Sequence, residues 1–270
     1  MSYGTLRQNP RHFAAIAVLG CTLLAPGFTH ATRQESLPPT PRAAARADFT
    51  GYWVSLVTED WRYRMVTPRK GDYTSIPLNP EGRRVADSWD PAKDAAAGNQ
   101  CRSYGAGAIM RVPGRLHITW ENDRTLRIDT DAGTQTRMLR FGESRPAGPP
   151  TWQGHSAAQW VTARDREGLG NLVLDPFFGD AAPRATTGYL KVVTTNMRSG
   201  YLRKNGVPYS ANAILTEYFN LVPGIGNDQW LIVTTIVDDP QYLTQPFITS
   251  THFKKLAGAS GWEPTPCESQ

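Results

Sequence analysis

The feature that most constrains this chain is alternation. Leu116, Ile118 and Trp120 fall on one side of an extended segment, with His117, Thr119 and Glu121 on the other. Leu190, Val192 and Thr194 alternate in the same way with Lys191, Val193 and Thr195. A period of two sustained over roughly four to eight residues fits a pleated strand with one buried face. Strand patterns run over Gly51–Thr58, Trp61–Val66, Ala108–Val112, Leu116–Glu121, Leu126–Thr130 and Gln135–Phe141. They resume over Gln159–Ala163, Tyr189–Asn196, Ala213–Phe219, Trp230–Val237 and Ile248–Phe253. Turn formers separate them: Pro113-Gly114, Asn122-Asp123, Ala132-Gly133, Asn205-Gly206 and Gly226-Asn227-Asp228.

A single stretch reads as helix, Asn79–Asp90 continuing through Pro91 to Ala97. Asn79 is a capping residue, Pro80 suits the first turn and Glu81 favours the N-terminal end of the helix dipole. No alternating βα pattern and no glycine-rich phosphate loop occurs, which disfavours doubly wound folds. Many short strands at regular spacing predict an all-β, antiparallel, closed or nearly closed barrel of about ten strands with one short helix, in the manner of calycins and lipocalins. Glu143–Pro150 and Arg164–Thr187 resist strand assignment, the second reading as a long surface insertion in which Phe177-Phe178 can pack down.

The N-terminus reads as an address. Arg7 and Arg11 precede an apolar run from Phe13 to Ala25, Pro26-Gly27 break it, and Thr29-His30-Ala31 offers small residues at a cleavage site. This is secretory signal grammar, too short for a membrane span of about 20 residues. The expected organisation is a signal peptide over 1–31, a flexible lead-in over 32–47 and one barrel domain over 48–270, in a periplasmic or secreted protein. Lipidation at Cys21 is the alternative. Cleavage near Ala31 removes two arginines and no acid, so the net charge falls from +5 to 27 − 24 = +3. That small charge, without a Lys/Arg cluster, argues against a nucleic-acid partner. It also leaves Cys101 and Cys267, an even count that reads as a disulfide in an exported chain, against the alternative of two unpaired thiols.

Several blocks in order resemble a known group. Asp48-Phe-Thr-Gly-Tyr-Trp53 is similar to the Gly-x-Trp start of lipocalin-like barrels. Pro77–Gly82, Cys101–Gly105 with Ile109–Pro113, Pro150–Ser156 with Trp160, Leu190–Thr195, Tyr209-Ser210 with Thr216-Glu217, and Asp238–Pro240 with Gln245-Pro246 are similar to a large group of exported bacterial proteins without an established function. The likeness spans about residues 48–268. Where that group places Gly-Asp before its Leu-x-Val-x-Thr strand, this chain has Thr187-Gly188 after the long insertion. The resemblance implies export, a barrel-like fold and a cysteine pair, and it implies no catalytic residue.

Candidate chemistry is sparse. The exported chain would hold three histidines, His117, His155 and His252, enough for a zinc or iron site only if they converge, and no ligand spacing supports one. No metal or other cofactor is therefore expected. His155, beside Ser156 in Trp152-Gln-Gly-His-Ser156, can shuttle protons or simply bond backbone at a strand entry. Glu217 shares a strand face with Leu215 and Phe219, so it is either paired with an arginine or a general acid/base. Asp129 and Asp131 can form a charge cluster with Arg137. Arg62 and Arg64, alternating with Trp61, Tyr63 and Met65, point at a ligand if the barrel interior is polar there, and otherwise outward. Tyr201, Arg203 and Tyr209 sit in Gly200–Ser210, an anion- and aromatic-binding loop or a plain hairpin with solvated charges.

The leading reading is an exported barrel that binds a small, largely apolar or aromatic molecule, with Arg62, Arg64, Trp152, Trp160, Tyr201, Arg203, Tyr209 and His252 as candidate binding residues. An alternative is a cofactor-independent lyase, isomerase or hydrolase in which His155, Glu217 or Asp131 transfers protons. A third is an envelope interaction module without a ligand. The expected partner is a small molecule, with no membrane span after signal cleavage.

Overall fold

The computed structural model describes residues 39–143, 145, 146, 148–161 and 188–269. The signal segment, Cys21, Ala163 and the insertion carrying Phe177-Phe178 lie outside the described residues. Nine strands close a barrel: β1 (Gly51–Leu56), β2 (Arg115–Asn122), β3 (Thr125–Thr130), β4 (Gln135–Phe141), β5 (His155–Val161), β6 (Tyr189–Thr195), β9 (Ile214–Pro223), β10 (Gln229–Asp238) and β11 (Phe247–Leu256). Their order around it is β1-β11-β10-β9-β6-β5-β4-β3-β2, returning to β1. The remaining strands, β7 (Gly200–Arg203) and β8 (Val207–Tyr209), form a separate hairpin.

One pairing departs from the expected antiparallel plan. β4 and β5 run parallel, with Leu139 opposite Ser156 and Phe141 opposite Ala158. A parallel neighbour requires the chain to travel back before re-entering the sheet. Residues 142–154, which include the Gly/Pro-rich stretch without strand character, make that return.

Alternation follows from closure, because every second residue faces the lumen. Trp53, Leu116, Ile118, Leu126, Ile128, Leu139, Leu190, Val192, Phe219, Leu231, Val233 and Phe253 are all buried in one core cluster. On the outside of the same strands, His117 stacks on Tyr52 at 4.1 Å. On the inner face, opposite Leu190, Trp160 stacks on Phe49 and Phe141 and donates its indole N–H to the Pro41 carbonyl at 2.8 Å. Part of the lead-in is thereby bonded to the barrel.

A second cluster, including Tyr73, Ala86, Leu202, Val207, Tyr209, Leu243 and Phe247, packs the helices and the β7–β8 hairpin together. The helices are α1 (Trp61–Met65), α2 (Pro80–Asp87), α3 (Pro91–Ala96) and α4 (Ala106–Ile109), with a 3-10 turn over Gln100–Tyr104. Three expectations change here. The strand patterns at Trp61–Val66 and Ala108–Val112 are not strands. They lie in or beside helices too short to show a helical period. The single expected helix is two, because Pro91 starts a new one. Asn79 caps α2 by accepting from the Gly82 N–H at 2.8 Å, and Asp90 caps α3 through the Ala92 and Lys93 N–H groups.

Cys101 and Cys267 are joined as a disulfide, their Cα atoms 5.1 Å apart. The bond ties the C-terminal segment to the 3-10 turn. Among the described residues no helix is long and apolar enough to cross a membrane.

Candidate functional site

A cup for an apolar ligand is not what the lumen provides, since the apolar side chains just named fill it. Among the described residues it also holds a buried charged pair. Arg137 Nη1 and Nη2 donate to Glu217 Oε1 and Oε2 at 3.0 and 2.5 Å, and both side chains are fully buried. Thr194 Oγ1 accepts from Arg137 Nη2 at 3.4 Å and shares a 2.7 Å bond with Ser156. Arg137 thus joins Glu217 rather than Asp129 and Asp131. Asp129 accepts from Arg127, while Asp131 accepts the Arg115 and Ala132 backbone N–H groups.

The remaining cationic residues gather beside the barrel. α1 begins at Asp60, a non-glycine residue in the left-handed region at φ 47°. That conformation is uncommon but tolerated by aspartate. The turn places the Asp60 carbonyl to accept the Tyr63 and Arg64 N–H groups. It also turns Arg64 inward. Arg64 Nε donates to the Arg111 carbonyl at 2.8 Å, Nη2 to Ser55 Oγ at 3.1 Å, and Nη1 to Glu59. Arg111 follows α4 and donates through Nη2 to Asp60 Oδ2 at 2.9 Å. Arg203 comes from the end of β7. Its Nη2 donates to the Thr74 carbonyl at 3.1 Å, and its guanidinium lies 4.3 Å from the Tyr63 ring. At Gly206, φ +84°, an added Cβ would collide with the Trp89 ring, so the tight Asn205-Gly206 turn that presents Arg203 needs glycine.

These side chains line one cavity, with Lys204 and the apolar Ala108, Val112 and Leu202. Its volume is about 30 Å³, which suits a small oxyanion or one anionic group and not a whole drug-sized molecule. Its donors are incompletely used. Arg111 and Arg203 are 8% and 5% exposed, yet Arg111 Nη1 and Arg203 Nε and Nη1 have no hydrogen-bond partner among the described residues. The lining carries Arg64, Arg111, Arg203 and Lys204, and the carboxylates bonded to these arginines are Glu59 and Asp60. Four cations thus face two bonded carboxylates, with Asp72 a further acid acting on Arg203, and positive charge is in excess. Burial lowers the Arg203 pKa, and the nearby Arg111 charge lowers it further while Asp60 opposes. Arg64 is lowered too, by burial and by Arg111, against Glu59 and Asp60.

Of the candidates named from sequence, the cavity unites Arg64 and Arg203. The others lie elsewhere. Arg62 is exposed, on the opposite side of α1 from Arg64. Trp152 lies under the Arg198 guanidinium at 3.9 Å, and Trp160 packs with Phe49 and Phe141. Tyr201 donates to Asp94 at 2.7 Å. Tyr209 is buried, and its hydroxyl would clash with a Cβ at Gly105 or Gly200. His155 Nε2 lies 3.2 Å from the Glu143 carbonyl. His252 Nδ1 is 2.7 Å from Thr58 Oγ1 and 3.6 Å from Glu59. His155, Glu217 and Asp131 have separate partners. Among the described residues no group of three His, Cys, Asp or Glu side chains is placed to hold a metal.

Sequence reading missed Tyr63, Arg111 and Lys204 as site residues. Arg111 carried a signal, because it interrupts the apolar run Ala106–Val112. An arginine in such a run is buried with its segment and needs partners. Compared with known protein families, curated proteins and solved structures, the chain gives no match.

Proposed function

We propose that this is an exported small-molecule-binding barrel protein whose ligand presents an anionic group to Arg64, Arg111 and Arg203. The observation that carries this reading is the set of buried, unpartnered N–H groups on Arg111 and Arg203 in a small cavity. A buried cation without full partners costs stability, and an anion offsets that cost with charge-assisted hydrogen bonds. Carboxylate, phosphate and sulfate groups share the required chemistry. The filled lumen moves the reading from an apolar ligand to an anionic one. His155, Glu217 and Asp131 each have their own hydrogen-bond partner, and no specific observation favours the proton-transfer alternative over the anion-binding one.

Calorimetric titration of the purified protein with acetate, benzoate, phosphate and sulfate tests this. At least one anion is expected to saturate a single site. Arg111→Met and Arg203→Met are each expected to weaken it about tenfold or more, the scale of a lost charge-assisted bond. Absence of saturable binding, or binding unchanged in both variants, would overturn the proposal.

A further inference from the structure

Tyr63 and Arg64 are the α1 residues that line the anion cavity. Trp61 and Met65 lie one turn apart on one side of α1, and neither lines the cavity. Trp61 is 65% exposed, Met65 60% and the following Val66 68%. Three large apolar side chains within six residues are thus presented to solvent. They are set among Arg62, Arg69 and Lys70, all exposed.

The charge on this face is asymmetric. Glu59 and Asp60, the acids nearest α1, are turned inward onto Arg64 and Arg111. Asp72, half-buried, reaches toward the face, 3.9 Å from Arg62. The basic loop is also fixed in place. Asn205 Nδ2 donates to the Arg69 and Asp72 carbonyls at 3.1 and 2.9 Å. A rigid platform therefore holds a tryptophan, a methionine and a valine beside three cations. Elsewhere, exposed Ile225 and Ile248 lack such a basic surround within their own strand-end segments.

From this juxtaposition we infer that the outer face of α1 with the loop through Lys70 docks on the surface of an anionic phospholipid bilayer. Tryptophan settles at the headgroup boundary, Met65 and Val66 enter beneath it, and Arg62, Arg69 and Lys70 meet lipid phosphates. This is peripheral attachment, needing no spanning segment. It does not depend on the anion cavity, whose lining includes none of Trp61, Arg62, Met65, Val66, Arg69 and Lys70.

The test is co-sedimentation of the purified protein with vesicles of phosphatidylcholine alone, or of equal parts phosphatidylcholine and phosphatidylglycerol. Binding is expected to the anionic vesicles and to fall with added salt. Each basic residue near such a surface is worth about fivefold in partitioning, so the double variant R69E/K70E is expected to lose well over tenfold. The double variant W61S/M65S is expected to lose about tenfold or more by removing the inserted side chains. Both variants alter exposed side chains, so their unfolding midpoints and anion titrations should match the parent. Arg203→Met should keep vesicle binding. Failure to sediment with anionic vesicles at low salt, or sedimentation unchanged in both double variants, would overturn the inference. Capture of a protein partner through this face without vesicle binding would overturn it as well.

Discussion

Two regions of this molecule bury arginine, and they treat it differently. In the lumen, Arg137 meets Glu217 through two hydrogen bonds, so the pair is neutral and confined. Arg137 Nε lacks a partner among the described residues, but its charge is matched by Glu217. Beside the barrel, Arg111 and Arg203 keep unused donors next to Arg64 and Lys204, around a small cavity where cations outnumber the bonded carboxylates. The difference teaches where to look for binding. A matched buried charge fixes how strands meet, whereas an unmatched one retains free energy that a ligand can release.

The sharpest way to break this comparison is to unmatch the lumen pair. Glu217→Gln leaves the Arg137 guanidinium buried in an apolar barrel without its counter-charge. The expected loss is about 3–5 kcal/mol of unfolding free energy. Replacing both members, Arg137→Met with Glu217→Leu, should recover most of that loss, because the cost lies in the unpaired charge. Urea denaturation of the single and double variants measures it. A single variant as stable as the parent would show that this charge is not confined as described.

The cavity region has its own weak point at high pH. Tyr73 adjoins Thr74, whose carbonyl holds Arg203, and it donates to Asp87 on α2 at 2.8 Å. Burial first, and then that bond, push its hydroxyl from 10.0 up to about 12. The folded state therefore holds this proton more tightly than the unfolded chain. The associated stability is fully present below the unfolded value and is lost as pH rises through the folded one. Over that window the expected loss is about 2–3 kcal/mol. Tyr201 and Tyr209 are raised as well, so the discriminating measurement is the difference between the parent and Tyr73→Phe across the alkaline range. The variant should show the flatter profile.

Much of the barrel was legible in the sequence, because strand alternation is a local record of a distant fact, which face is covered. β2, β3, β4, β6 and β10 follow their patterns closely. The parallel entry of β5 was not legible, since it depends on where a patternless loop leads. α1 was misread because five residues of alternating arginine and aromatic character satisfy a period of two as well as a single helical turn. The ionic fate of Glu217 was readable as a choice between partner and acid. Its partner was not, because Arg137 lies 80 residues away and only closure joins β4 to β9 through the lumen. The cavity was half legible. Arg64 and Arg203 stood in suggestive segments, but three short elements from separate parts of the chain converge there, and no spacing rule connects them.

The smallest expected effect is the most telling for the comparison. Arg203→Met removes a buried guanidinium, as Arg137→Met would, and on burial alone the two should cost alike. They should not, because among the described residues the Arg203 side chain has one hydrogen bond, to a carbonyl, and a ring contact with Tyr63, while Arg111 repels its charge. Losing that single bond costs about 1 kcal/mol, and relief from desolvation and repulsion runs the other way. Arg203→Met is therefore expected to change stability by no more than about 1 kcal/mol in either direction, measured without added anion. With a saturating anion, the parent should gain stability that the variant does not, since only an intact site links binding to folding. Equal and large losses for Arg137→Met and Arg203→Met, with no anion-dependent gap, would erase the distinction between the two regions.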